Sequence, residues 1–279
     1  MIASRQIDDD IRNSPTAIAL IEAGIDQFGL YGQKATTRNV VEQAKANIAA
    51  IPYYFRNKNG LYRACMHYIV DEIWVELGKQ LSSSHLLIEA LDEALLCDAA
   101  VDSNKPAIDS NAADSTANES PVAGLSVSGS SASGSSVNET AQSGQDNNTL
   151  KEQSLQAYLN IMDTFCVFFL KDPDTQRWAQ FIMREHATPT EAYEIFYERY
   201  YRHAQRIKVK LLACILGGSE DDDGIKILSH ALFGQVLGFL IARESLLRGL
   251  GVKDLSGEAV QLIRDVVKQN VLASVNMHR

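Results

Sequence analysis

Four cysteines stand far apart, at 65, 97, 166 and 214, and no two form a Cys-x-x-Cys pair. That spacing excludes a disulfide framework or a zinc cage and leaves each thiol as a small apolar residue. The six histidines, at 67, 85, 186, 203, 230 and 278, never fall at a metal-binding spacing. No nucleophile elbow, phosphate-binding glycine loop or paired-carboxylate motif occurs, which argues against an enzyme and against any cofactor or metal. The acidic run 220–223 lacks the alternating ligands and closing glutamate of a calcium loop, so it reads as a solvated turn. Apolar runs such as 165–170 are far too short to span a bilayer. The start, MIASRQIDDD, has no basic-then-apolar signal pattern, so the expected location is the cytoplasm, without a membrane partner.

What is present suffices for two folded units. Of 279 residues, 46% are hydrophobic and 22% charged, which supports a sizeable core. The net charge of −9 seems to exclude nucleic acid, but its distribution reverses that reading. Residues 1–80 hold nine cations and nine acids, residues 151–279 sixteen of each, and residues 81–150 one lysine and ten acids. Between 30 and 67 stand Lys34, Arg38, Lys45, Arg56, Lys58 and Arg63 against only Glu42, a local +5. That is the size of an electrostatic footprint on phosphate.

Sustained period-two alternation is missing, while apolar residues recur at helical spacing on both sides of a composition break. The expected fold is all-α. Its N-terminal three-helix domain (1–60) carries a helix-turn-helix, and 61–100 hold a connecting helix and the start of an effector domain. An acidic Ser/Gly-rich insertion over 101–150, with twelve serines and no aromatic residue, reads as disordered. Residues 151–279 form an effector-binding and dimerisation domain.

Ser14-Pro15 starts the first helix, Ile18, Ile21, Ile25 and Phe28 line it, and Gly32 ends it. Thr37 is expected to cap a second helix, and Asn47 a third, IAAIPYYF. Ile48, Ile51 and Phe55 should then face the core and Ala49, Ala50, Tyr53 and Tyr54 point elsewhere. A short second helix with small residues and tyrosines suits a helix-turn-helix reader: alanines permit close approach to a groove, and tyrosine hydroxyls reach phosphates. Arg38 and Lys58 add positive charge to this surface.

The stretch TAIALIEAGIDQFGLYGQKATTRNVVEQAKANIAAIPYYFRNKNGLYRACMHYI resembles the N-terminal domain of the TetR family of transcriptional regulators. The resemblance covers about residues 15–70, strongest at FxxYGxxATT and NIAAIPYYFxNKxGLY. It implies that Thr37 contacts phosphate, that Ile48, Ala49, Ala50 and Pro52 face bases, that Tyr53 and Tyr54 touch backbone and thymine methyls, and that Lys58 anchors a phosphate. Lys45 stands where the family usually has glycine, and Pro52 where Tyr or Asn is frequent. FIMREHATPTEAYEIFYERYYRH is similar to the CecR-like branch, whose members are drug- or metabolite-responsive repressors.

In the C-terminal part, Tyr158, Met162, Phe165 and Phe169 share one helical face and Tyr193, Phe196 and Tyr200 another. With Trp178 and Arg184 they are the expected effector contacts, although such stripes also serve as plain core. The basic series Arg199, Arg202, Arg206, Lys208, Lys210 reads as a solvated helix face. The last two helices, near 224–249 and 256–276, are apolar on more than one side, which suits a two-fold four-helix dimer interface. The expected function is a ligand-responsive repressor that binds a palindromic duplex operator as a homodimer and is released by a small apolar or aromatic effector. The alternative is a regulator-like protein acting through protein contacts alone.

Overall fold

The computed structural model describes residues 9–102, 136–171 and 173–278. Among the described residues all regular elements are helical. After a single turn, α1 (Asp9–Arg12), comes α2 (Pro15–Tyr31). The Ser14 hydroxyl accepts from the Ala17 N–H at 3.3 Å, and Pro15 occupies a first-turn position that needs no N–H. A 3-10 turn (Gly32–Lys34) leads to α3 (Thr37–Gln43) and α4 (Ala50–Phe55). The 45-residue α5 (Lys58–Asp102) follows and reaches about 68 Å at 1.5 Å per residue. Leu20, Ile21, Ile25, Phe28, Val40, Val41, Ile51 and Phe55 close the N-terminal core against Leu61, Cys65 and Met66 of α5.

Two local expectations are corrected. Thr36, not Thr37, caps α3: its hydroxyl accepts from the Asn39 N–H at 3.1 Å. Asn47 does not start α4. Its side-chain oxygen accepts from the Ala49 N–H at 2.9 Å, and the resulting turn delays the helix to Ala50, because Asx turns compete with helical bonds. Ile48 thereby leaves the core face and is 53% exposed.

The second part comprises α6 (Ser136–Lys171), α7 (Pro173–Ala187), α8 (Glu191–Phe196), a π turn (Tyr197–Tyr201), α9 (Arg202–Leu216), α10 (Asp223–Ile241), α11 (Arg243–Leu250) and α12 (Gly257–His278). α6 packs on α5, α9 and α12. The insertion expected over 101–150 is shorter. Residues 101–102 end α5 and 136–150 are the first turns of α6, since a helix nucleated by a packed face propagates through poor formers. Residues 103–135 lie outside the described residues. The helix expected over 224–249 breaks at Ala242 into α10 and α11. Asp222 caps α10 by accepting from Gly224 N–H at 2.6 Å, which agrees with a turn at 220–223. By length and composition α10 is apolar enough to cross a membrane, which the short apolar runs had not suggested.

Candidate nucleic-acid interface and effector cavity

Most residues expected to meet DNA lie on the outside of α3, α4 and their turn. Arg38, Asn47, Ile48, Ala49, Pro52 and Tyr53 are exposed, Tyr53 at 80%. Thr37, Ala50, Tyr54 and Lys58 are half-buried. Tyr54 receives a hydrogen bond from the Ser14 hydroxyl at 2.8 Å, which ties α4 to the start of α2. Asn47 spends its oxygen on the turn. The Lys58 ammonium donates to the Gln33 carbonyl at 2.5 Å, and Arg63 pairs with Glu191 at 3.1 Å. Lys34, Arg38, Lys45 and Arg56 are exposed and, among the described residues, form no ion pair. Repulsion among unpaired cations is tolerated where an anion is to be met. Lys45 and Arg56 hold positive φ, 52° and 66°. Lys45 thus keeps the left-handed turn that glycine would make without a Cβ penalty.

In the second part α6, α7, α9 and α10 enclose a cavity of about 170 Å³. Four of the nine expected effector residues line it: Phe165, Phe169, Phe196 and Tyr200. Five do not. Tyr158 and Met162 are core residues with 0% and 1% exposure and lie outside the cavity lining. Trp178 lies against Phe168, ring centroids 6.1 Å apart. Tyr193 packs on Tyr197 and His186. Arg184 reaches the other domain. The π turn rotates Tyr200 and Tyr201 toward the cavity, and such bulges recur at functional sites. Lys208, read as solvated, is a cavity residue at 2% exposure. Arg199 is no surface cation either: Asp71, itself 4% exposed, pairs with it at 2.9 Å and also with Arg12. Arg202 and Glu198 do form the expected four-residue pair on the exposed side.

One helix serves both regions. Ala179, Ile182, Met183 and His186 of α7 recur at helical spacing along the cavity. On its other face Arg177 pairs with Asp26 at 2.5 Å, and Phe181 packs on Tyr62, 4.8 Å between centroids. Arg184 donates to the Gly29 carbonyl at 3.0 Å and the Leu30 carbonyl at 2.7 Å. These are orphan acceptors in the last turn of α2. Gly32 makes this possible: its φ is +57°, and a Cβ there would lie 2.9 Å from the Arg184 guanidinium. Glu185, 1% exposed, accepts from Tyr62 of α5. It also accepts from the Thr190 N–H at 3.0 Å and the Tyr193 N–H at 3.1 Å, closing the start of α8. Burial and the Glu185 contact both push the Tyr62 phenol well up. Arg184-Glu185 is therefore a clamp between domains. Its signal in the sequence was the charged pair itself, but only the fold shows what it holds.

Residues 20–65 match the family model described as bacterial regulatory proteins, tetR family. Residues 154–276 match the model for the C-terminal domain of HTH-type transcriptional dual regulator CecR. The chain is similar to the HTH-type transcriptional dual regulator CecR of Shigella flexneri, 27% identical over 248 residues, which cover 89% of this chain and 86% of that protein. A helix-turn-helix end with unpaired cations, an all-helical second part and matches over both halves agree: the chain belongs to the TetR family of transcriptional regulators, in its CecR branch, and is a regulator rather than an enzyme.

Proposed function

We propose that the protein is a ligand-responsive repressor that binds a palindromic duplex as a dimer and leaves it when a small apolar or aromatic effector fills the cavity. The observation that carries this reading is the double duty of α7, which has a cavity face and a face clamped to α2 and α5. A ligand that displaces α7 shifts the orientation of α3 and α4, and it acts only through its differential affinity for the two states. Tyr53, Ala49, Pro52 and Ile48 meet the groove; Arg38, Lys58 and the first turn of α3 at Thr37 meet phosphates. Asn47, Ala50 and Tyr54 hold the shape of the reading surface. The exposed Ile227 and Ile241 of α10 and Leu262 and Val266 of α12 support dimerisation through these two helices. Activation at some promoters is a second reading, favoured by the relative's description as a dual regulator.

The test is a titration of duplex from the protein's own upstream region, with salt varied. Specific binding with a steep salt slope supports the reading. Equal, weak binding to all duplexes favours a protein that works through protein contacts.

A further inference from the structure

Lys208 is out of place in its surroundings. It lies in α9, 2% exposed, in a cavity lined mostly by aromatic and aliphatic side chains. Its ammonium stands 3.6 Å from the centroid of the Phe233 ring. Among the described residues no carboxylate or carbonyl pairs with it, and no acid lines the cavity. The titratable neighbours on the walls are His186 of α7, His230 of α10, and Tyr200 and Tyr201 of the π turn. Tyr200 carries a buried hydroxyl without a hydrogen-bond partner. An unpaired buried cation and an orphaned buried donor are both costly, and a ligand anion would satisfy both at once.

From this placement we infer that the effector is a small amphipathic monoanion, an aromatic or short aliphatic carboxylate, held through its carboxylate by Lys208 and the Tyr200 hydroxyl with its apolar body against Phe165, Phe169 and Phe233. The inference rests on the cavity being the effector site. The volume of about 170 Å³ suits one aromatic ring with a short substituent, because an apolar cavity of roughly 150 Å³ accepts benzene. Burial without a counter-charge pushes the Lys208 amine down to about 7. An arriving carboxylate reverses that and holds the proton in place. The Phe233 ring accounts for part of the cation's stabilisation and leaves the other side of the ammonium to the ligand.

The experiment is calorimetric titration of the full chain with three probes of one shape: phenylacetate, its neutral isostere phenylacetamide, and the cation 2-phenylethylamine. Phenylacetate should bind about ten-fold or more tighter than the amide, as a charge-assisted hydrogen bond in an apolar site provides, and the amine should bind weakest. In Lys208→Met the anion's advantage should fall to within about two-fold while amide binding persists. Lys208→Arg should restore part of the preference. Circular dichroism and a melting curve establish that each variant is folded, and Lys208→Gln gives the same comparison if the methionine variant is not. Equal affinities for anion and amide in the native protein overturn the inference and leave the cavity reading standing. An anion preference that survives in Lys208→Met also overturns it. If no probe binds at millimolar concentration, the cavity reading and this inference fall together.

Discussion

At the scale of the residue, exposure separates side chains that serve recognition from those that serve the fold. Tyr53 is 80% exposed, so Tyr53→Ala should weaken duplex binding by about ten-fold while changing stability by less than about 0.5 kcal/mol. An anisotropy titration and a urea melt check this together. Lys45 holds φ 52°, so Lys45→Gly should stabilise by about 0.5–1 kcal/mol. The same change should lower the salt slope of DNA binding by about one unit if that ammonium meets a phosphate. Lys208 works against the fold. Its amine is shifted from 10.5 down to about 7, so the folded protein sheds a proton that the unfolded chain keeps between those values. The unfolded chain then binds more protons, and stability rises as pH climbs from 7 toward 10.5. The destabilisation is full below 7. Lys208→Met should add a few kcal/mol at pH 6 and flatten that rise, which melts across pH 6–10 will show. A gain in stability on removing a charge is the usual mark of a residue kept for function.

At the scale of the element, α7 matters most. The natural lever would be α5, which starts at the DNA-facing end and enters the second part. The structure adds a shorter route, because Arg184 and Glu185 attach the cavity wall directly to α2 and α5. Arg184→Ala removes two hydrogen bonds to carbonyls and should cost about 1–3 kcal/mol. Its more specific effect should be on coupling. The factor by which ligand weakens DNA binding, and DNA weakens ligand binding, should fall together toward one, while each partner alone still binds. Paired titrations measure this. Unchanged coupling in Arg184→Ala would exclude α7 as the route. Gly32→Ala should be destabilising by more than the strain of a positive φ alone, since its Cβ meets the same guanidinium.

At the scale of the whole molecule, the proposed reading depends on two copies acting together. A single copy presents one short reading surface, whereas a two-fold pair can span half-sites roughly 34 Å apart. Ile227 and Ile241 of α10 are 69% and 66% exposed. Charging both, as Ile227→Glu with Ile241→Glu, should give a monomer by sedimentation with its helix content intact. Operator affinity should drop at least a hundred-fold, because the second half-site no longer contributes through one rigid particle. Gly238 of α10 is exposed and has nothing within 4 Å of where a Cβ would stand, which leaves room there for the close approach of a second helix, whereas Gly234 borders the cavity.

The helical class, the N-terminal domain and the outward placing of Ala49 and Tyr53 are legible in the sequence, because capping residues, apolar periodicity and local charge are written in short windows, whereas Ala50 and Tyr54 of the same expected set are half-buried. Ser14-Pro15 and Gly32 mark helix ends by chemistry alone. Windows this short also misled. Asn47 reads equally as a cap or an Asx turn, and the turn displaced Ile48 from the core. Only the tertiary packing separates the two ends of one aromatic stripe, making Tyr158 and Met162 core and Phe165 and Phe169 cavity wall. It also decided which cations of 199–210 see water. Arg202 is solvated, Arg199 is paired with Asp71 over 128 positions, and Lys208 is enclosed without a counter-charge. Periodicity says that residues share a face, but what the face meets depends on elements distant in the chain, and burial and pairing energies follow from that meeting.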